Sequence, residues 1–152
     1  MCGIVGYIGE KQATPILLEN LEKLEYRGYD SAGIAICNDN KIEILKDTKR
    51  ISDLKKDIAK KNLNSHIGIG HTRWATHGKP TVANAHPHAS CDGRFAVVHN
   101  GIIENYIPIR EKLLSEGFTF CSDTDTEVFA NLLCFYQKKN PNASFFEVVK
   151  DA

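Results

Sequence analysis

The chain opens Met1-Cys2-Gly3-Ile4-Val5-Gly6. A cysteine directly behind the initiator methionine is small enough for that methionine to be removed. Removal would leave Cys2 with both a thiol and a free α-amino group. An α-amine titrates near ~7.7–8.0 against ~10.4 for lysine, so at neutral pH only the former keeps a substantial free-base fraction. Nucleophile and general base then reside in one residue, the N-terminal-amine form of nucleophile activation. Gly3 and Gly6 permit close backbone approach, and Ile4 to Ile8 has the composition of a short buried strand anchoring the terminus. The plainer alternative is a small residue at a frayed end, so the reading depends on what the remaining chain brings to the sulfur.

The 152 residues are 42% hydrophobic and 25% charged, the make-up of one globular domain with a real core. Lysine plus arginine balance aspartate plus glutamate at 19 each, so no electrostatic case exists for a nucleic acid or an acidic membrane as partner. No apolar run approaches the roughly 18 residues of a membrane span, and no charged-then-apolar leader is visible. The expected compartment is the cytoplasm. Cys2, Cys37, Cys91, Cys121 and Cys134 form no CxxC pair and are odd in number, which suits reduced thiols better than a disulfide framework.

Thr14-Pro15 reads as an N-cap with proline at the first helical position, followed by Leu17, Leu18, Leu21 and Leu24 at helical spacing. Gly28 is placed to end that helix in the left-handed conformation. Ser31 to Cys37 and Ile42 to Leu45 form a hairpin, and Arg50 to Asn64 reads as an exposed, lysine-rich helix. His66 to Gly70 reads as a buried strand delivering His71-Thr72-Arg73-Trp74-Ala75-Thr76-His77-Gly78. A long irregular stretch continues through Asn84-Ala85-His86-Pro87-His88 to Gly93, and loops of that length inside a domain are usually functional. Arg94 to His99 is an expected strand ending in Asn100-Gly101. Asn105 to Ser115 follows as a helix with Gly117 behind it. Thr124-x-x-Glu127 and Ser144-x-x-Glu147 are capping boxes opening two more helices.

Four separated pieces make chemical sense together. Cys2 supplies a thiol, and Asn100-Gly101 can converge an amide NH₂ and a backbone N–H as an oxyanion hole. Arg73 can grip a carboxylate bidentately, and Asp125 at a helix start can face an ammonium group. Clamps for carboxylate and ammonium suit an α-amino acid, while nucleophile and oxyanion hole suit its side-chain amide. That complement points to glutamine. Taken singly, Asn100-Gly101 reads as a hairpin turn, Arg73 as an ion-pair residue, Asp125 as a first-turn carboxylate and Trp74 as core. His71, His77, His86 and His88 lack the spacing of a closed zinc site, so no metal and no cofactor is expected.

Cys2 to Gly6, Leu24-Glu25-Tyr26-Arg27-Gly28-Tyr29-Asp30-Ser31-Ala32-Gly33, His71 to Gly78, Asn84 to His88, His99-Asn100-Gly101-Ile102-Ile103-Glu104-Asn105 and Thr124 to Glu127 together resemble the glutaminase domains of the glutamine–fructose-6-phosphate aminotransferases. Other class II glutamine amidotransferases share the cysteine and the Asn-Gly pair but differ at Arg73 to Gly78 and Asn84 to His88. The resemblance implies an α+β fold, the four-layer αββα sandwich of N-terminal-nucleophile hydrolases. It implies catalysis by Cys2, Asn100 and Gly101, with Arg73, Thr76 and His77 at the substrate carboxylate and Asp125 at its ammonium. Trp74 is similar to a family residue gating an ammonia channel. It further implies L-glutamine as substrate, fructose 6-phosphate as acceptor through an isomerase region, and a homodimeric whole enzyme. On this reading residues 1–152 are an incomplete glutaminase domain, cut on its C-terminal side. Another amidotransferase of the class and a non-catalytic glutamine-binding fragment are the alternatives.

Overall fold

Alternating small and branched residues draw the first half of the chain into an antiparallel sheet. The computed structural model describes residues 2–28, 30–39, 41–61, 63–74 and 81–152. Strands β1 (Gly3–Ile8), β2 (Ser31–Asn38), β3 (Lys41–Asp47) and β4 (Ile67–Arg73) lie in the order β1-β4-β2-β3, each neighbouring pair antiparallel. Helix α1 (Ala13–Leu24) covers one face, packing Leu17, Leu18 and Leu21 on Ile34 and Ile36. Gly68 and Gly70 make that contact possible, because a Cβ on either would come within 2.8 Å of Leu17 or Leu21. Helix α2 (Ile51–Ile58) closes this core with Ile51, Leu54 and Ile58.

The second half builds its own core. Strands β5 (His88–Ala89) and β6 (Ala96–Val97) pair antiparallel, and helices α3 (Tyr106–Ser115), α4 (Asp125–Lys139) and α5 (Phe145–Asp151) gather Phe95, Leu113, Phe118, Val128, Leu133 and Val148. Buried Asn131 on α4 ties two loops to this core, accepting from the Cys91 N–H at 2.7 Å and donating to the Thr119 carbonyl at 3.1 Å. Among the described residues no helix is long and apolar enough to cross a membrane.

Several local expectations shift. Strand β1 is buried on alternate residues only, with Ile4 43% and Ile8 78% exposed, so it is a half-covered strand. Helix α1 starts at Ala13 behind Gln12, which makes no capping bond, and Thr14 is buried in its first turn. The helix ends at Leu24 in a 3₁₀ turn over Glu25–Arg27, and Gly28 is extended at φ 176°; its lack of a side chain matters for space, not for handedness. Helix α2 is shorter than expected, and its apolar stripe is core. Strand β4 runs through His71, Thr72 and Arg73, which sequence reading put in a loop. The strand expected over 94–99 shrinks to β6, because Ser90 and Asp92 side chains bond the N–H groups of Phe95 and Arg94 into a turn. At α4 only half the capping box forms: Thr124 Oγ1 accepts from the Glu127 N–H at 3.3 Å. The Glu127 carboxylate accepts from Cys121 and Ser122 N–H groups instead, both at 2.7 Å. The Ser144 box is complete and Gly117 takes φ 84° behind α3, both as read from sequence.

The two halves meet on the sheet face away from α1. Register places Ile4, His71, Gly33 and Lys46 in one row across β1, β4, β2 and β3. Segment 83–88 lies on this row. A Cβ on Gly33 would fall 2.3 Å from the His86 carbonyl oxygen, so only glycine lets that backbone approach. Beside the gap, Lys46 Nζ donates to the carbonyls of Ala83 (3.2 Å), Ala85 (2.7 Å) and Pro87 (3.2 Å). On its other side the His71 ring stacks on His86 at 4.3 Å, and His86 meets His88 edge-on at 4.6 Å. His88 Nε2 reaches Thr124 Oγ1 at 3.1 Å. The order is thus helix, sheet, small sheet, helix, with a polar seam between the sheets. Burial lowers the histidine pKa values in this seam from 6.5 to about 4 for His71, about 3 for His88 and about 2 for His86. It lowers Lys46 as well.

Two outcomes follow from the seam. Gly33→Ala should destabilise the fold by about 1–3 kcal/mol through overpacking, whereas Gly6→Ala, with nothing within 4 Å of its Cβ, should change little; equal urea midpoints would contradict the packing account. The unfolded chain protonates these histidines near 6.5 and the folded chain resists to about 4 or lower. The unfolded state therefore binds more protons below pH 6.5, and stability falls as pH drops, by up to about 1.4 kcal/mol per pH unit for each histidine. Thermal melts should lose Tm steadily from about pH 6.5 to 5, above the ordinary carboxylate range; a flat profile there would show that the seam is solvated.

Candidate active site

A cleft of about 490 Å³ opens where the start of β1, the end of β4, the turn after β6 and the N-terminus of α4 converge. Cys2 stands one residue ahead of β1. The Gly3 N–H donates to Thr72 Oγ1 at 3.1 Å, and the Gly3–Thr72 register sets Cys2 beside the Arg73–Trp74 peptide. Cys2 Sγ accepts from the Trp74 N–H at 3.2 Å, and its thiol faces the Trp74 carbonyl at 3.7 Å. Both neighbouring glycines are needed for space. A Cβ on Gly3 would meet Thr72 Oγ1 at 2.8 Å and Leu24 at 2.9 Å, and one on Gly28 would meet the Trp74 nitrogen at 3.0 Å.

Asn100 approaches from the opposite wall. Its Nδ2 donates to the Cys2 carbonyl at 3.3 Å, while Oδ1 lies 2.7 Å from His71 Nε2. Gly101 follows, and a side chain there would strike the His99 ring at 2.8 Å. Asp125 is the first residue of α4, where a carboxylate complements the helix dipole. Its Oδ2 accepts from the Ile103 N–H at 2.7 Å, which fastens the turn carrying Asn100 to the helix. Arg73, only 8% exposed, and half-exposed Trp74 complete the wall at the end of β4.

Cys2, Arg73, Trp74, Asn100, Gly101 and Asp125 thus line one cleft. Thr76 and His77 lie outside the described residues. Sequence reading gave no role to Thr72, Asn84, His99 or Tyr106. The last three line the cleft, and Asn84 Oδ1 accepts from the Asp123 N–H at 3.1 Å. Thr72, Asn84 and His99 all lie in the motifs that carry the family resemblance, but nothing local marks Thr72 as the brace for the N-terminal strand. The three seam histidines face one another through their rings, and no metal-binding group of three His, Cys, Asp or Glu exists among the described residues. The arrangement places a thiol, an amide donor, a guanidinium and a carboxylate around one cleft.

Residues 36–140 match the glutamine amidotransferase domain family. A glutamine–fructose-6-phosphate aminotransferase (isomerizing) of Caldanaerobacter subterraneus is 62% identical over 136 residues, covering 90% of this chain and 22% of its own. The protein of the same name from Clostridium perfringens is 53% identical over 150 residues, covering 99% and 25%. The chain therefore spans about a quarter of the length of the curated relatives it matches. Among solved structures, an allosteric regulatory enzyme of purine biosynthesis superposes with TM-score 0.80 at 25% identity, over 99% of this chain and 32% of that one. A glutamine phosphoribosylpyrophosphate amidotransferase from B. subtilis, in complex with ADP and GMP, gives 0.77 at 26% identity, with the same coverage. The architecture is the α+β sandwich of N-terminal-nucleophile hydrolases expected from the sequence. Family match, identity to full-length relatives and shared fold lead to one assignment: this chain belongs to the glutamine amidotransferase domain family.

Proposed function

We propose that this chain is the glutamine-hydrolysing part of a glutamine–fructose-6-phosphate aminotransferase, releasing ammonia from the side-chain amide of L-glutamine. The observation that carries the reading is the joint placement of Cys2 and Asn100, with the Asn100 amide 3.3 Å from the Cys2 carbonyl at the head of the cleft. Once Met1 is removed, the α-amine of Cys2 takes the thiol proton and the thiolate attacks the amide carbon. Asn100 Nδ2 and the Gly101 N–H stabilise the oxyanion. The amine returns the proton to the leaving nitrogen, ammonia departs, and water hydrolyses the γ-glutamyl thioester to glutamate. Arg73 binds the substrate carboxylate with Thr76 and His77 beside it, and Asp125 binds the ammonium.

In the whole protein the ammonia passes Trp74 toward an isomerase region that aminates fructose 6-phosphate to glucosamine 6-phosphate. The protein works in the cytoplasm, and the whole enzyme is a homodimer. A phosphoribosylpyrophosphate amidotransferase is the second reading, favoured by the structural neighbours. The 53–62% identity to aminotransferases against 25–26% to the purine enzymes ranks it lower.

Ammonia release from glutamine by the chain tests the proposal. Cys2→Ala should abolish it, and Asn100→Ala should lower kcat by on the order of 10²–10³. Asp125→Ala should raise KM for glutamine roughly 10- to 100-fold, as expected for about 1.5–3 kcal/mol lost with a charged hydrogen bond. Turnover that persists in Cys2→Ala, or Asp125→Ala with unchanged KM, would contradict these roles.

A further inference from the structure

A carboxamide can serve an oxyanion only when its NH₂ end faces the reacting carbon; a half-turn of the side chain presents oxygen and repels the developing charge. Something must therefore hold the Asn100 amide in one orientation. Its Oδ1 lies 2.7 Å from Nε2 of the buried His71 ring, and its Nδ2 donates to the Cys2 carbonyl. An amide oxygen only accepts, so His71 must carry its proton on Nε2. His71 Nδ1 is buried without a hydrogen-bond partner among the described residues, where a lone pair is tolerated better than an N–H or a charge. The ring itself cannot swing away. It is 1% exposed, stacked on His86 at 4.3 Å, with His86 fixed by the three carbonyls that Lys46 gathers.

We infer that His71 is a positioning residue, whose Nε2–H locks the Asn100 carboxamide with Nδ2 toward the oxyanion. This rests on the glutaminase reading above. Its burial, which keeps the ring neutral well below pH 7, keeps a second positive charge away from Arg73. The lock extends from Lys46 through His86 and His71 to Asn100, so residues on β3 and β4 set the geometry of a donor on a distant turn.

Kinetics and ring spectroscopy together test it. His71→Ala should lower kcat for glutamine hydrolysis on the order of 10- to 100-fold, the scale of a misplaced catalytic group, with KM nearly unchanged. His71→Gln, whose amide can donate to Asn100, should recover most of the loss. On an Asn100→Ala background His71→Ala should cost nothing further, since both act through one interaction. Long-range proton–nitrogen NMR of the native chain should show His71 as the Nε2–H tautomer. Wild-type kcat in His71→Ala, an undiminished cost on the Asn100→Ala background, or an Nδ1–H tautomer would overturn the role. A native chain that releases no ammonia overturns the glutaminase reading and the catalytic meaning of the lock with it, while the tautomer still reports whether the bond exists.

Discussion

A half-buried lysine next to a missing side chain joins the two halves of this molecule. Lys46 sits across the hairpin from Gly33, and the backbone of 83–88 settles into the space that Gly33 leaves. A lysine ammonium withdrawn from water must be met by oxygen, and three carbonyls from one short segment meet it. That segment is thereby pinned to the first sheet, and through His88 and Thr124 the second half of the chain is pinned with it. A side chain at Gly33 would collide with the His86 carbonyl in the middle of the segment whose Ala83, Ala85 and Pro87 carbonyls Lys46 holds.

The consequence is a cleft, the candidate active site, made by two halves with separate apolar cores. The first half contributes Cys2, Arg73 and Trp74 at strand ends, and the second contributes Asn100, Gly101 and Asp125 from a turn and a helix start. Their geometry depends on the seam more than on either core. The seam is polar, with buried uncharged histidines beside the Lys46 ammonium, so it is a place of specific contacts and not of general hydrophobic cohesion. This explains why its histidines are held unprotonated, and why acid should weaken the joint before it reaches the surface carboxylates.

Legibility in the sequence followed the range of the interactions. The N-terminal cysteine, the leucine spacing of α1, the Ser144 capping box and Gly117 are local signals, and each was readable. The cleft residues were readable because their chemistry converges on one ligand, although the residues themselves are far apart in the chain. What failed to show was whatever depends on cross-strand register. Lys46 looks like any strand lysine, and Gly33 gives no hint that it faces His86. His71 to Arg73 read as loop because polar residues inside a buried strand make sense only when another layer covers them. Glu127 satisfied the capping-box pattern, yet the N–H groups of Cys121 and Ser122 claimed its carboxylate. Gly28 looked like a helix terminator and is instead a spacer under Trp74.

The most direct measurement of the central claim is intact and peptide mass spectrometry of the purified chain after exposure to 6-diazo-5-oxo-L-norleucine, a reactive glutamine analogue. The account expects Met1 to be absent, a single covalent adduct on Cys2, and protection of that adduct by excess glutamine. A retained Met1 would leave the proposed base blocked as an amide. That result, or labelling spread over the other cysteines without glutamine protection, would contradict an N-terminal cysteine acting in a glutamine-shaped cleft.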